Sequence, residues 1–578
     1  MSAAAPLRIV RRQSAGHSAL GDRLHPVLRR VYAGRGIVAP DELGLNLQRL
    51  LPIGSLEAVE AAAELLDVHR ERGGTVLVIG DFDADGATST ALIVRALRSW
   101  GYASVDFLVP NRFEFGYGLT PEIVAHAAQR QPALIVTVDN GISSLAGVAA
   151  ARAAGIDVLI TDHHLPGTAL PGANVIVNPN VPGSQFGSRS LAGVGVAFYV
   201  VAALRRRLAE RGCLPASAMP SSDLLDLVAL GTVADVVPFD VNNRILVAQG
   251  LARIRAGRCV AGISALLEVA HRERDNLVAA DLGFAVAPRL NAAGRLTDMS
   301  IGIRCLLADD AAEARALAQE LDDLNSERRN IETRMQAEAR LAVRSLDASA
   351  GGTRRSGVCL FDPGWHQGVV GLVASRIKER LRRPVVAFAP ADGTTLRGSA
   401  RSIPGIHIRD VLDAIAARDG SLIQKFGGHA MAAGLTLPLA ALDAFARAFD
   451  AECGRALTRH GSPDIIETDG ELAEHELELP TALALRAGGP WGPGFPEPLF
   501  DGLFRIHSTR IVGERHLKIR LLAPEGRGQF EAIAFNFIDS EDPPELPSGL
   551  TRLVYRLDSN EYLGESRLQF VIEHLLPA

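Results

Sequence analysis

Between residues 56 and 180, short apolar runs alternate with longer amphipathic segments. Each apolar run is five to seven residues long and ends at turn-forming or polar residues, a pattern that predicts a buried strand. The segments between the runs have apolar residues at helical spacing. Strands that alternate with helices are typical of a parallel sheet built from βαβ units. The predicted strands are residues 75–80, 105–110, 133–139, 157–162 and 174–178.

The pattern changes twice in the second half of the chain. Residues 303–346 contain no Pro or Gly and alternate in charge sign, which predicts a long solvated helix that joins two domains. A second α/β pattern then continues to about Arg459, with predicted strands at 358–362 and 384–389. After Asp464 the chain consists of short alternating strands, which predict a small β-barrel.

These changes predict an α/β protein with several domains. A parallel-sheet domain is joined by a long helix to a second α/β domain, and a β-barrel follows at the C-terminal end. The length of 578 residues agrees with this division, because roughly 150 residues is an ordinary domain size. The predicted segments are an N-terminal arm (1–55), a sheet domain (56–300), a connecting helix (301–348), a second α/β domain (349–460) and a barrel domain (461–578).

Composition narrows the class of protein. Hydrophobic residues make up 47% of the chain and charged residues 22%, as in ordinary folded proteins. The net charge of −6 provides no overall positive field, so a nucleic acid must be bound by a local groove. Five separated cysteines without a CxxC pair argue against a disulfide scaffold and a thiolate zinc site, and they fit a reducing cytoplasm. No run reaches the ~18 apolar residues of a membrane span, so we expect neither membrane insertion nor secretion.

Carboxylates lie directly after the first predicted strand. Asp81, Asp83 and Asp85 are two residues apart, and alternate residues of an extended segment face the same side. Three acids at the carboxyl end of a strand repel one another, and this edge is also where α/β folds bind ligands. A divalent cation would remove the repulsion. The alternative is that each acid only caps a helix or a turn.

Further acids and two histidines follow other apolar runs. Asp139 ends one predicted strand, Asp162-His163-His164 ends another, and Asp235 follows a third apolar run. Carboxylates with one or two imidazoles suit Mg²⁺ or Mn²⁺, whereas structural zinc sites more often contain Cys. The ligands suffice for two ions that share a bridging carboxylate, an arrangement used in phosphoester hydrolysis.

In their order along the chain, these motifs resemble the DHH family of phosphoesterases, which is named for the motif present here at 162–164. The motifs that carry the resemblance are GDFDADGATS (80–89), VPNRFEFGYGL (109–119), TVDNGIS (137–143), TDHHLPG (161–167), ALGTVADVVPF (229–239) and APRLNAAGRL (287–296). Those that resemble the substrate-binding DHHA1 module are FDPGWHQGVVGLVASRIKER (361–380), GSARS (398–402) and GGHAMAAG (427–434). Some DHH phosphatases have a histidine four residues before Asp83, and Ile79 at that position favours the exonuclease branch over the pyrophosphatase-like branch.

The resemblance implies a role for each matching residue of the sheet domain. The residues expected to hold two Mn²⁺ or Mg²⁺ ions are Asp83, Asp85, Asp139, His163 and Asp235, with Asp139 as the bridge. Supporting catalytic residues would orient these ligands or contact the substrate. The supporting residues are Asp81, Asp162, His164 and Arg295.

The resemblance also implies substrate contacts. Arg112, Ser399 and Arg401 would hold a 5′ terminal phosphate, and His429 would lie near the strand. The barrel resembles an OB-fold, a module that binds single strands by stacking and backbone contacts. Its candidate contacts are Trp491, His516, Lys518, Asn560, Tyr562 and Arg567. The chain departs from the family pattern at two positions, with Phe495 in place of a common Asn and Tyr562 in place of a common Trp.

The function implied by the resemblance is a metal-dependent 5′→3′ exonuclease that releases mononucleotides from single-stranded DNA during recombination and repair. A passage too narrow for a duplex would select single strands. The expected partners are single-stranded DNA, a single-strand-binding protein and a helicase, and a cytoplasmic monomer is expected. One alternative is a phosphodiesterase for short oligonucleotides or cyclic dinucleotides, against which the extra barrel argues. The other is a nucleic-acid-binding scaffold with an inactive metal site, against which the retained acids argue.

Overall fold

The structure is a computed structural model that describes most of the chain. The described residues are 8–13, 20–110, 118–349, 355–460, 465–513, 515–523, 528–538, 549–562 and 565–577, without the side chains of 347–349, 458–460 and 561–562. They form two compact units, a larger one of Ile9–Gly294, Asp298–Leu321 and Ile466–Ala578, and a smaller one formed mainly by Asp322–Ile465. Within the described ranges, no helix combines the length and the apolar character that crossing a bilayer requires.

The N-terminal arm is held inside the larger unit by polar contacts. Its elements are β1 (Arg8–Arg11), α1 (Pro26–Ala33) and three short 3₁₀ turns, and α2 (Val59–Arg72) follows the arm. The Arg35 guanidinium donates to both carboxylate oxygens of Asp469 at 2.8 and 3.0 Å, and both side chains are buried. The Tyr32 hydroxyl donates to the carbonyl of Gly488 at 2.7 Å. The arm therefore packs against the segment that precedes the barrel.

A five-stranded parallel sheet forms the centre of the larger unit. Its elements are β2 (Val76–Ile79), α3 (Ala84–Ser99), β3 (Val105–Leu108), α4 (Pro121–Ala128), β4 (Leu134–Val138), α5 (Leu145–Ala153), β5 (Asp157–Thr161) and β6 (Val175–Val177). The strand order is β3-β2-β4-β5-β6, and every pair is parallel. The five predicted strands are confirmed to within two residues at each end. Because β2, β4 and β5 are adjacent, the residues that follow them lie at one edge.

The first helix after β2 begins earlier than the sequence predicts. The apolar pattern after the first predicted strand predicts a helix from near Ala87, but α3 begins at Ala84 because the Asp83 carboxylate accepts the Gly86 N–H at 3.0 Å and caps the helix. Asp85 is therefore a residue of the first helical turn. Asp85 reaches the sheet edge from a helix. The prediction that one extended segment carries all three acids is therefore wrong for this residue.

A layer of helices follows the sheet in the larger unit. Its members are α6 (Gly193–Glu210), α7 (Leu225–Ala234), α8 (Val241–Arg255), α9 (Ala261–Val269), α10 (Ala279–Asp281), α11 (Ala287–Leu296) and α12 (Ser300–Leu307), with a π-helical turn at Leu282–Val286 between α10 and α11. Helices α6 and α7 are buried along most of their length and both pack against α3. This packing brings the ends of α6 and α7 to the motif that follows β2.

The predicted connecting helix is interrupted near its start. Helix α12 ends at Leu307 and α13 spans Ala311–Ser349, so one continuous helix from residue 303 is not formed. The Asp310 carboxylate accepts the N–H groups of Ala312 and Glu313 at 3.0 and 2.9 Å and caps α13. An acid at a helix start satisfies backbone donors that lack partners there, which favours a new helix at this position.

The smaller unit contains a second, mixed sheet. Its elements are β7 (Val358–Phe361), α14 (Val370–Leu381), β8 (Val385–Pro390), β9 (Thr395–Arg401), α15 (Ile408–Arg418), β10 (Lys425–Gly428), β11 (Ala432–Pro438) and α16 (Leu442–His460). The strand order is β10-β11-β9-β8-β7, and only β7 and β8 are parallel. One core cluster contains the aromatic rings of Phe388, Phe445 and Phe449. The predicted second α/β domain is confirmed.

The C-terminal region folds as a closed barrel, as predicted. The elements are β12 (Ile465–Thr468), α17 (Leu479–Ala487), β13 (Phe500–Val512), β14 (His516–Leu522), β15 (Gln529–Ala534), β16 (Gly549–Tyr562) and β17 (Glu565–Pro577). The barrel order is β13-β14-β15-β17-β16, and β16 pairs with β13 to close it. Strand β12 pairs with β1 of the arm. Phe504 packs edge-to-face on Tyr555 and Phe570 inside the barrel.

Candidate metal and nucleic-acid sites

The candidate metal ligands converge at the carboxyl edge of the parallel sheet. Asp81 follows β2, Asp139 directly follows β4 and Asp162 directly follows β5, and these three strands are neighbours. Asp235 arrives differently, from the C-terminal end of α7, which packs against α3. The sequence prediction that separate segments bring these side chains to one edge is therefore reproduced in the fold.

Asp139 is held in an unusual backbone conformation. Its φ of +61° lies in the left-handed region that residues other than glycine seldom adopt. The side chain is buried, and the backbone N–H donates to the Thr161 carbonyl at 3.0 Å. A Cβ atom on Gly193 would lie 2.7 Å from Asp139 Oδ1, closer than real Cβ atoms approach. Glycine at position 193 thus makes room for this carboxylate.

The N-terminus of α6 binds Asp85. Gly193 N–H donates to Asp85 Oδ2 at 2.7 Å, and Val194 N–H donates to Oδ1 at 2.9 Å. Helix N-termini favour anions because their first N–H groups have no partners inside the helix. The Asp85 side chain is only 1% exposed. Both oxygens are therefore fixed in direction before any cation binds.

Asp162 orients the two histidines that follow it. Its Oδ1 accepts the backbone N–H groups of His163 and His164 at 2.7 and 3.0 Å, and it lies 2.8 Å from His164 Nδ1. Its Oδ2 accepts the Ile142 N–H at 2.9 Å. Burial alone would raise the pKa of Asp162, but the contacts with His164 and the Ile142 N–H outweigh burial and lower it. Asp162 is therefore a charged support for the histidine pair.

Ligand atoms from seven residues form three overlapping groups, in each of which they lie within 4.8 Å of one another. The groups are Asp81, Asp83 and Asp139; Asp85, His163 and Asp235; and Asp139, His163 and His164. His163 Nε2 lies 3.1 Å from Asp139 Oδ1 and 3.5 Å from Asp235 Oδ2. Asp139 and His163 each belong to two groups, and of the two only the Asp139 carboxylate has the oxygen lone pairs that a ligand shared by two ions needs.

The electrostatics of this cluster fit divalent cations. Burial, followed by repulsion from Asp83, raises the pKa of Asp85 to about 7 even though two N–H groups oppose the shift. Burial and repulsion from Asp85 and Asp83 raise the pKa values of Asp139 and Asp235 well above the ordinary range. Carboxylates that resist ionisation in this way gain from a nearby cation, and oxygen donors with one imidazole suit Mn²⁺ and Mg²⁺. The residues present therefore fit such ions.

The metal-free protein should lose thermal stability as the pH rises. Folded Asp85 keeps its proton up to about pH 7, whereas an unfolded Asp releases it near pH 4. The folded state binds more protons over this interval, so its stability falls as the pH rises through it. Burial lowers the pKa of His164, but Asp162 outweighs burial and raises it to about 9. The stabilisation of the folded state by protonated His164 is complete below about pH 6.5. It is lost as the pH rises through 9.

Bound cations would take the place of these protons. We expect the increase in Tm between EDTA and saturating Mn²⁺ to be larger at about pH 8 than at about pH 5.5. Differential scanning fluorimetry at both pH values measures this, and Asp85→Asn should reduce the difference because the variant side chain does not titrate. Equal increases at the two pH values in the wild-type protein would contradict the assignment of these acids to a cation site.

The smaller unit contains two of the residues expected to bind a terminal phosphate. Ser399 and Arg401 alternate on β9, and Arg401 Nη1 donates to Ser399 Oγ at 2.8 Å. Both side chains lie against Gly371 at the N-terminus of α14, where a Cβ atom would be 2.9 Å from Arg401 Nη2 and 3.0 Å from Ser399 Oγ. A guanidinium and a hydroxyl at a helix N-terminus form an arrangement that suits an anion.

Three further residues are candidates for contacts with the terminal phosphate or the DNA strand. Arg112 lies outside the described residues, so its predicted role stays a prediction. Arg295 Nη1 donates to the Gly368 carbonyl at 3.2 Å inside the smaller unit. His429 is exposed in the turn between β10 and β11, and its N–H donates to the Ala432 carbonyl at 2.8 Å.

The candidates at the barrel are distributed over β14, β16 and β17, and Lys518 and Arg567 both lower the pKa of Glu531 on β15. Lys518 on β14 pairs with Glu531 at 2.8 Å, and His516 Nδ1 accepts the N–H of Asn536 at 2.9 Å. Arg567 pairs with Glu565 at 2.7 Å on β17. Asn560, an exposed residue of β16, is the cross-strand partner of Arg567, and the side chain of Tyr562 lies outside the described residues. Their roles in strand binding stay predictions.

Trp491 and Phe495 pack against each other within the larger unit. Their rings are stacked, with centroids 5.1 Å apart and 9° between the planes, and Trp491 Nε1 donates to the Leu485 carbonyl at 2.9 Å. The buried Arg244 guanidinium lies over the Phe495 ring at 3.7 Å. Phe495, the departure from the family pattern, thus joins the segment before the barrel to α8. These contacts explain why an aromatic side chain is accommodated there.

Two site residues were not predicted from the sequence. Asn291 of α11 accepts the Ala84 N–H through Oδ1 at 2.8 Å, between the two ligands Asp83 and Asp85. Gly193 opens the space for Asp139, as described above. Asn291 belongs to the motif APRLNAAGRL, which carries part of the family resemblance. The polar contact of Asn291 with Ala84, a residue about 200 positions away, depends on the fold.

Comparisons with known proteins agree with this architecture. Three family models match, described as the DHH family N-terminal domain at 75–232, the DHHA1 domain at 355–455 and the RecJ OB domain at 468–574. These matches confirm the resemblance to DHH and DHHA1 proteins and the OB-fold assignment of the barrel. The order of the three domains is the predicted one.

Relatives match over nearly the whole chain. The identity is 52% to the single-stranded-DNA-specific exonuclease RecJ of Dickeya dadantii (strain 3937), over 98% of this chain and 99% of that protein. It is 51% to the protein of the same name from Escherichia coli (strain K12), over 99% of both. The crystal structure of RecJ in complex with Mn²⁺ from Thermus thermophilus superposes with a TM-score of 0.81 at 33% identity, over 99% of this chain and 80% of that chain. The chain therefore belongs to the RecJ family of DHH phosphoesterases.

Proposed function

We propose that this protein is a metal-dependent exonuclease that hydrolyses phosphodiester bonds of single-stranded DNA from the 5′ end and releases 5′-mononucleotides. The observation that carries the proposal is the convergence of five acids and two histidines, with ligand atoms within 4.8 Å in each group, at the sheet edge of a RecJ-family chain. Relatives more than 50% identical over almost their full length are named single-stranded-DNA-specific exonucleases. A protein that only binds nucleic acid would not need these seven potential metal ligands.

Two divalent ions, Mn²⁺ or Mg²⁺, would be held at this edge. The proposed ligands are Asp83, Asp85, Asp139, His163 and Asp235, with Asp139 between the two ions. Bound there, the ions would activate water and offset the charge that develops on the phosphate. The backbone N–H groups at the start of α6 fix the direction of Asp85, and the packing of Gly193 fixes Asp139. Fixed ligands keep the site ready for substrate without rearrangement.

The pair of Asp162 and His164 would support the same site. In the metal-free protein burial lowers the pKa of His164, but Asp162 outweighs burial and raises it to about 9, so the imidazole is protonated at neutral pH. A protonated imidazole at this position would donate to a phosphate oxygen or a leaving oxygen. Asp81 lies within ligand distance of Asp83 and Asp139 and adds negative charge to the cation site. We assign these residues supporting roles.

Binding of the 5′ end is assigned to the smaller unit. Ser399 and Arg401 at the start of α14 would bind a terminal phosphate, and Arg112 would add a second guanidinium. Arg295 and His429 are proposed to contact the strand. The OB barrel would bind the strand further along by stacking and backbone contacts, with Trp491, Lys518 and Tyr562 as candidates.

The cellular role follows from the substrate. Single-stranded DNA with a free 5′ end arises when a helicase separates a duplex, and it is covered by single-strand-binding protein. We therefore propose that the protein works in the cytoplasm, as a monomer, in DNA recombination and repair with these two partners. Single strands should be bound in a salt-sensitive manner despite the net charge of −6, because phosphate contacts release counterions.

One assay tests the proposal. Purified protein with Mn²⁺ is given single-stranded oligonucleotides carrying a 5′-phosphate or a 5′-hydroxyl, the same sequence as duplex, and a dinucleotide, and the products are separated by length. We expect mononucleotides from single strands only, with the 5′-phosphate substrate preferred. Cleavage of the dinucleotide alone would favour a phosphodiesterase for short substrates, and binding without cleavage would favour a scaffold. Cleavage from the 3′ end would overturn the polarity.

A further inference from the structure

One exposed aromatic side chain stands out in the larger unit. Phe284 is 85% exposed, the highest fraction for a large apolar residue in the described part of the chain. It lies in the π-helical turn Leu282–Val286, whose other apolar members Leu282, Ala285 and Val286 are buried. The backbone of the turn is therefore held by packing, while this one ring projects into solvent. π-Helical turns occur frequently at functional sites.

The sequence explains why the turn forms here. Pro288 has no N–H, and in an α-helix its ring would also clash with the carbonyl of residue 284, four positions earlier. A helix that contains such a proline relieves the clash by a local change of hydrogen-bonding pattern. Arg289 Nη1 donates to the Ala285 carbonyl and helps to hold the widened turn. Phe284 is thus presented by a specific backbone feature.

The turn lies beside the helix that supplies a candidate metal ligand. A Cβ atom on Gly283 would lie 3.2 Å from Val233 Cγ1, and Val233 is two residues before Asp235. Val236, the residue after that ligand, is 65% exposed and has a φ of +62°. A β-branched residue in the left-handed region is a rare conformation, and such strain tends to occur at functional sites. The turn that carries Phe284 therefore packs against α7, the helix that ends at Asp235.

The helix that continues beyond Phe284 reaches a loop that carries metal ligands. Asn291 of α11 is seven residues further on. The Asn291 side chain contacts Ala84 in the loop that carries Asp83 and Asp85. The π-helical turn that carries Phe284 thus runs directly into the helix that contacts the loop of the metal ligands, with about 10 Å along the axis between Phe284 and Asn291.

We propose that Phe284 forms a platform on which a nucleobase of the single-stranded substrate stacks as its phosphodiester bond enters the metal site. The inference rests on the proposed nuclease function. An exposed ring fixed beside a phosphodiester site suits any base, because every base presents a flat π face. A base in a duplex is already stacked on its neighbours, so this platform would favour single strands.

The first test compares kinetic parameters. Phe284→Ala should raise KM for a single-stranded oligonucleotide about 5- to 20-fold with little change in kcat, as expected for loss of one stacking contact. Phe284→Tyr should behave as the wild-type protein because it keeps the ring. Leu439→Ala, which also shortens an exposed apolar side chain, is the matched control and should have no effect. Equal KM values for Phe284→Ala and the control would overturn the platform.

The second test asks whether the ring contacts a base. A series of nuclease-resistant phosphorothioate strands, each with one abasic position near the 5′ end, is titrated in Mn²⁺. Removing the contacted base should weaken binding to the wild-type protein about 5- to 20-fold and leave binding to Phe284→Ala unchanged. Equal losses for both proteins at every position would mean that the ring touches no base.

A spectroscopic variant gives an independent readout. Trp100 and Trp365 are buried and Trp491 is stacked on Phe495, so the indole introduced by Phe284→Trp would be the exposed reporter. Its fluorescence should change when the phosphorothioate strand binds. No change in an otherwise active and DNA-binding variant would overturn the proposal and leave the ring as a contact for another protein. If the wild-type protein releases no nucleotides, the proposed function fails instead, which the first assay distinguishes.

Discussion

Asp139→Asn is expected to abolish turnover while leaving the fold intact. Asp139 belongs to two of the three ligand groups, so its loss should weaken both ions, and cations of this kind supply several kcal/mol of transition-state stabilisation. The rate should therefore fall by at least about 10³-fold. Asparagine tolerates the left-handed backbone at this position better than other residues with a Cβ atom. Mononucleotide release at saturating Mn²⁺ is the measurement.

Stability separates this effect from misfolding. Burial and neighbouring acids raise the pKa of Asp139 well above its ordinary value, so removing its charge should raise the free energy of unfolding of the metal-free protein at neutral pH. Asp275→Asn, at an exposed carboxylate in the same unit, is the matched control and should change neither activity nor stability. A variant at position 139 that keeps full activity would remove this residue from the ligand set.

Gly193→Ala is expected to have the second largest effect. The added methyl group would lie 2.7 Å from Asp139 Oδ1 and 2.8 Å from its Cβ atom, and Asp139 cannot move away easily because it directly follows a central strand. Gly193 also donates its backbone N–H to Asp85 Oδ2. Displacing either ligand should lower Mn²⁺ affinity about 10- to 100-fold, and overpacking should cost about 1–3 kcal/mol of stability.

The matched control for this variant is Gly172→Ala. Gly172 is an exposed loop residue with no atom within 4 Å of an added Cβ, so the substitution should leave activity and Tm unchanged. Isothermal titration calorimetry with Mn²⁺ measures the expected loss of metal affinity. Thermal denaturation in EDTA measures the expected loss of stability separately. Wild-type Mn²⁺ affinity in Gly193→Ala would show that the metal ligands tolerate movement, contrary to the geometry.

Local pattern was sufficient for the sheet and for most of the acids. Apolar runs of the parallel sheet are buried on both faces and therefore read as nearly continuous hydrophobic segments. Asp81, Asp139 and Asp162 could be placed together because parallel strands end at a common edge. The boundary errors were at helix starts, where the side chains of Asp83 and Asp310 cap α3 and α13.

Other features depend on contacts between distant residues. The roles of Gly193 and Asn291 require knowledge of what lies opposite them, since a glycine or an asparagine has no periodicity that marks it. Trp491, a candidate DNA contact, instead stacks on Phe495, whose ring packs against Arg244 of α8. An aromatic residue in a sequence can equally well be a binding residue or a packing residue, and only its neighbours distinguish the two.

By itself, the sequence determined which segments become strands and helices and which residue types are available for chemistry, because burial pattern and capping are local properties. Only the tertiary structure decided which acids lie within 4.8 Å of one another, how the start of α6 holds Asp85 and that Phe284 projects into solvent from a turn packed against α7. These arrangements join residues tens to hundreds of positions apart. Their distances are fixed by strand order and helix packing, which no local pattern contains.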